Sequence, residues 1–153
     1  MRKSYLLWAL SLILAHVLMA NNAWSRSDNS TDHEIMAVLD KFLSSFNALD
    51  IKTHTSTYHF PHYRLASGRM HVLQSADDLK REDLESFLKG IGWHHSEWDK
   101  REISMRSEDK VHVNTRFTRY REDGSVINCH DSLYILTRES GKWAIKMRSS
   151  FAQ

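Results

Sequence analysis

Residues Val111 to Phe151, VHVNTRFTRYREDGSVINCHDSLYILTRESGKWAIKMRSSF, read as three strands joined by two similar turns. In the first, Val111, Val113 and Phe117 alternate with His112, Asn114, Arg116 and Thr118, the period-two pattern of a half-buried strand. The second carries Ile127, Cys129, Leu133 and Ile135, and the third Trp143, Ile145, Met147 and Phe151. All of these positions are odd. A two-residue loop at Asp123-Gly124 would put the first two apolar sets on opposite faces. A three-residue loop, Glu122-Asp123-Gly124 with Gly124 left-handed, is therefore expected, pairing Arg121 with Ser125. Glu139-Ser140-Gly141 follows the same grammar.

That register sets Thr115, Asp131 and Ser149 side by side on an otherwise apolar inner face. It sends His112, His130, Ser132, Tyr134, Lys146 and Arg148 to the outer one. A carboxylate withdrawn from water needs a partner, a proton or a chemical role. Asp131 is thus the leading catalytic candidate, set against the plainer alternative that Thr115, Ser149 or an arginine satisfies it. Cys129, the lone cysteine, is expected as a buried small hydrophobe, since nothing near it in sequence would make a thiolate.

At the N-terminus, Arg2 and Lys3 precede an apolar run from Leu6 to Ala20 and then small and polar residues, the organisation of a signal peptide over residues 1–25. Cleavage is expected after Ser25, or alternatively after Ala20, with a retained membrane anchor as the competing reading. Export places the chain in the periplasm or outside the cell, with no membrane association after cleavage. Of 21 Lys and Arg, two lie in residues 1–25 and none of the 19 Asp and Glu do, so the remainder is formally neutral. The pI near 8.7 therefore carries no argument for nucleic acid, and no basic stripe with interleaved aromatics is present.

Residues 26–31 are a polar linker, and 32–153 have the length and composition of one domain, with 41% hydrophobic and 26% charged residues in the whole chain. Thr31 and Glu34 form a capping box for a helix from Asp32 to Leu49, whose stripe is Ile35, Leu39, Phe42, Phe46 and Leu49. A shorter helical turn follows to about Tyr58. Pro61 interrupts it, and a hairpin is expected with strands Tyr63–Ala66 and Arg69–Leu73 around Ser67-Gly68. Ser75 and Asp78 cap a second helix, Ala76 to Ile91. After Trp93 to Trp98 comes a strand with Ile103 and Met105 on its apolar side, and Arg101 falls opposite Thr115 or Phe117, the nearest cation for Asp131. The order is α+β: a curved antiparallel sheet covered by N-terminal helices, leaving a pocket where the helices cannot follow the curvature.

The order of elements, the hairpin in RYREDGSVI, the ending GKWAIKMRSSF and the segment HFPHYRLASGRM resemble the SnoaL-like branch of the nuclear-transport-factor-2-like superfamily over about residues 32–152. The resemblance implies a cone-shaped fold with a central cavity, often in a homodimer packed through the sheet. It carries over Asp131 and the polar groups around His59 and His62 as pocket groups. No enzyme motif of the superfamily transfers.

Two functions follow. In one, an acid/base enzyme of isomerase, cyclase or dehydratase type acts on a small apolar carbonyl compound. Asp131 or His59 moves a proton, and His62 or Tyr58 steadies the oxyanion. Arg101, Thr115, Ser149 and Trp98 complete the ligand-binding set. In the other, the protein is a non-catalytic ligand-binding or dimeric interaction module. No cofactor is expected. A metal held by His59 and His62, or by His94 and His95, is disfavoured because no carboxylate stands at ligand spacing and HExxH is absent.

Overall fold

The computed structural model describes residues 30–152, so the expected signal peptide and most of the linker lie outside the described residues. The chain divides into a unit up to Glu34 and a unit from Ile35 onward. The sheet and the cavity belong to the second unit, and the first turn of helix α1 (30–47), in which residue 31 is already helical rather than capping, belongs to the first. Ile35, Leu39 and Phe42 are buried along one stripe of α1. Leu49, in the left-handed region at φ 52°, ends this segment. Asp50 then caps α2 (Ile51–Thr55) by accepting from the Thr53 amide at 3.0 Å.

The strands are β1 (Tyr58–Ala66), β2 (Arg69–Leu73), β3 (His95–Arg106), β4 (Lys110–Tyr120), β5 (Val126–Glu139) and β6 (Lys142–Ser150). They form one six-stranded sheet in the order β2-β1-β6-β5-β4-β3. The sheet is mixed rather than wholly antiparallel, because β1 runs parallel to β6. β1 starts five residues earlier than expected. Toward β6 no ladder pair is made between Tyr58 and Tyr63, which is where Pro61, without an amide proton, can be tolerated. Between β2 and β3 the expected long helix is divided. Ala76–Asp78 is a single 3-10 turn, Leu79 and Lys80 are extended, and α3 runs from Arg81 to Gly90.

Where the ladder slips decides which side chains face inward. The first long hairpin closes as expected: the Arg121 amide donates to Ser125 O at 2.9 Å and Gly124 is left-handed at φ 80°. One step further, Tyr120 pairs with Val126 but Arg119 pairs with Asn128, so Ile127 is an extra residue. From there on the even positions of β5 share a face with the odd positions of β4. The second hairpin is a two-residue loop, Ser140-Gly141, both left-handed at φ 50° and 79°. Lys146 is a further extra residue in β6, and Asp99 and Ser104 are two more in β3. Such bulges bend a sheet sharply, which accounts for its curvature.

The inner face therefore reads Val111, Leu136 and Ile145, then Val113, Tyr134 and Arg148, then Thr115, Ser132 and Ser150. Ile35, Leu39 and Phe42 of α1 pack on the first two rows with Trp143 and Tyr58 to make the core. The expected inner residues Leu133, Ile135, Met147 and Phe151 belong to the outer side. Phe151 is 83% exposed, and Met105 is turned out by the slip at Ser104.

Candidate functional site

The same slip corrects the expected polar row. Asp131 has Arg116 as its Cα partner and is exposed on the outer face, and Ser149 pairs with Leu133 on that face. Cys129 is exposed there too, its sulfur accepting from Arg116 Nε at 3.0 Å. Arg101 stands opposite Thr115, but its guanidinium is paired with Asp40 of α1 rather than with Asp131. The inner polar row is Thr115, Ser132 and Ser150. Thr115 Oγ1 donates to Ser132 O at 3.2 Å, and the hydroxyls of Ser132 and Ser150 meet at 2.7 Å. These groups satisfy one another.

The remaining expected residues divide. His59 sits near the β5–β6 hairpin, its Nε2 donating to Lys142 O at 3.0 Å with Glu139 beside it at 3.9 Å. Trp98 lines a small void of about 50 Å³, together with Phe42, Phe117 and Tyr134. Tyr58 and His62 line a larger cavity of about 620 Å³ between the inner face, the β1–β2 hairpin and α3. A cavity of this size suits a small organic molecule.

Its walls are of two kinds. Phe46, Leu73, Leu79, Leu84 and Phe87 supply apolar surface, whereas Arg64, Arg119, Arg148 and, at the hairpin, Arg69 supply charge. Among the described residues lining it there is no Asp or Glu. Register explains the grouping: Arg64 of β1 is the Cα partner of Arg148 in β6, which is the partner of Tyr134 in β5. The Arg148 guanidinium carbon lies 5.0 Å from the Phe42 ring centre, 5.9 Å from Tyr58 and 5.7 Å from Tyr134. These ring faces attract a cation without neutralising it. Arg119, only 7% exposed, lies 5.5 Å from the Phe117 ring and 5.7 Å from that of Phe87. The Nε atoms of Arg119 and Arg148 are buried and without a hydrogen-bond partner among the described residues. Burial first, and the Arg148 charge in addition, push the pKa of Arg64 and Arg119 below the ordinary range. All three arginines still carry their charge at neutral pH.

Beneath the arginines lies a chain of neutral polar rings. His54 Nδ1 donates to Phe42 O at 3.0 Å, and Tyr58 donates its hydroxyl proton to His54 Nε2 at 2.9 Å. The rings of Tyr58 and His62 stack at 3.9 Å and 8°, and His62 Nδ1 donates to Ile145 O at 3.1 Å. Burial, and then the Arg148 charge, push both imidazoles down to about 3, so they are uncharged at neutral pH. Sequence reasoning missed the arginines because parity alone sent Arg148 outward. The available signal was the even-numbered set Ser132, Tyr134 and Leu136, which is as regular as the odd one. No group of three or more metal-ligating side chains occurs among the described residues.

A bent sheet wrapped round α1 with a cavity at its open end is the NTF2-like, or cystatin-like, architecture. A solved NTF2-like protein with a cystatin-like fold from Novosphingobium aromaticivorans superposes at a TM-score of 0.70, with 10% identity over 86% of this chain and 88% of that one. An NTF2-like protein of unknown function from Shewanella oneidensis gives 0.60 at 16% identity, covering 79% and 98%. A ketosteroid isomerase-like protein from Erwinia carotovora atroseptica gives 0.56 at 21%, covering 78% and 93%. The family model described as NTF2-like protein (DUF6841) matches residues 32–149, and the chain belongs to that family. No curated protein matches it by sequence.

Proposed function

We propose that the protein is an exported binding protein for a small organic anion, which it holds in the 620 Å³ cavity with its apolar body against Phe46, Leu84 and Phe87. The observation that supports this is the set of Arg64, Arg119 and Arg148, buried in part or whole and facing one space that no described carboxylate shares. Withdrawing charges from water is unfavourable unless a counter-charge completes them. An arginine fork matches carboxylate or phosphate geometry. Calorimetric titration with naphthoate and with its uncharged methyl ester tests the reading. The acid should bind and the ester should not, and Arg148→Met should abolish binding of the acid. Equal binding of acid and ester would overturn it.

The enzyme reading has one specific support, the unpartnered His62 Nε2 beside the cavity. An imidazole held near 3 is, however, a weak general base at neutral pH. Homodimerisation is a further proposal. The outer face presents Val72, Tyr63, Met147 and Ile135 in one row and Met70, Leu65 and Leu133 in the next. Leu65, Met70 and Val72 are 41%, 51% and 40% exposed. Native mass spectrometry of residues 26–153 should give a dimer, and Ile135→Glu a monomer that still binds the acid.

A further inference from the structure

The three arginines specify only half of the ligand. His62 is 1% exposed, lines the cavity and has both ring nitrogens withdrawn from water. Its Nδ1 faces the Ile145 carbonyl, which can only accept, so the ring proton is on Nδ1. Nε2 is therefore a lone pair, and among the described residues nothing donates to it. Stacking on Tyr58 fixes the ring plane, and the Ile145 hydrogen bond fixes its rotation, so the lone pair has a set direction. The Arg148 guanidinium carbon lies 5.9 Å from the centre of the same Tyr58 ring. Burial, and after it the Arg148 charge, keeps the imidazole from taking up a proton, and Nε2 remains an acceptor.

Resting on the anion-binding reading above, we infer that the ligand carries a hydrogen-bond donor as well as its anionic group. The class is a hydroxylated aromatic acid, whose carboxylate meets the arginines and whose hydroxyl donates to His62 Nε2. A site with a buried, unpaired acceptor discriminates against an analogue that lacks the donor, because binding that analogue leaves the acceptor unsatisfied. An ether oxygen in place of the hydroxyl is worse than hydrogen, since it sets two acceptors against each other.

The test uses matched probes on the intact protein: naphthoate, its hydroxynaphthoate positional isomers, and the corresponding methoxynaphthoates. At least one hydroxy isomer should bind about tenfold or more tightly than naphthoate, and its methoxy partner should bind more weakly than naphthoate. His62→Phe, which retains a ring against Tyr58, should erase the difference in affinity between naphthoate and its hydroxy isomers. If that variant does not fold, the wild-type series decides. Binding of naphthoate with no isomer gaining from its hydroxyl would overturn this inference alone. Failure of every acid to bind would overturn the anion reading beneath it.

Discussion

Arg64 and Arg148 are Cα partners across the parallel pair β1–β6, two like charges side by side on the inner face of one sheet. Tyr134 continues the row on the other side of Arg148, and Val113 and Ile103 complete it. The arrangement is unfavourable for folding alone and is made tolerable by ring faces and by the adjoining cavity.

Removing the middle charge should therefore separate stability from binding. Arg148 hydrogen-bonds Tyr134 but has no carboxylate partner among the described residues lining the cavity, so an apolar side chain of similar volume gives up that bond and relieves desolvation and like-charge repulsion. Arg148→Met is expected to stabilise the ligand-free protein by about 1–2 kcal/mol. Urea unfolding of both proteins checks this, and a less stable variant would mean that the ring contacts outweigh the burial.

His54 and His62 should make the protein acid-sensitive. Both are held at about 3 in the folded state, against 6.5 in the unfolded chain. Above the unfolded value neither state binds a proton, and stability is complete. As pH falls through 6.5 toward 3, only the unfolded chain takes up protons, so folding weakens. Each histidine should remove about 2 kcal/mol between pH 7.5 and pH 5. Urea midpoints at the two pH values measure the loss, and His62→Gln should carry roughly half of it.

Tyr58→Phe tests the ring chain from the other end. It deletes the only donor to His54 Nε2 found among the described residues and leaves a buried acceptor unpaired. The expected loss is about 1–3 kcal/mol, read as a lower melting temperature. An unchanged melting temperature would show that the hydrogen bond adds nothing to folding.

Asp131→Asn should be silent. The side chain is exposed on the face opposite the cavity, so stability should stay within about 0.5 kcal/mol and acid binding should not change. A loss of binding would restore the carboxylate to the site.

How far the sequence could be read is clearest at Gly124 and Ile127. The left-handed glycine announces a three-residue loop, and that loop is present with its Arg121–Ser125 hydrogen bond. Three residues later the bulge at Ile127 has no glycine or proline to mark it, and it reverses every side chain that follows. The helical stripe Ile35, Leu39 and Phe42 and the Ser67-Gly68 turn were legible because local chemistry specifies them. Arg148 and Asp131 were exchanged because strand facing is a property of the whole ladder. Tyr58 and His62 were legible as cavity residues only through resemblance, and Arg101 was assigned the wrong carboxylate because α1, which carries Asp40, is distant in sequence.

The bulge at Ile127 also bears on how such a protein diverges. Closing that bulge, so that Ile127 rather than Asn128 paired with Arg119, would turn Asp131 and Leu133 inward and send Ser132 and Tyr134 outward, and with Tyr134 its partner Arg148. An arginine facing the chamber would be exchanged for a carboxylate without a single substitution. A one-residue shift of register, rather than replacement of side chains, is then a short route between chambers of opposite charge.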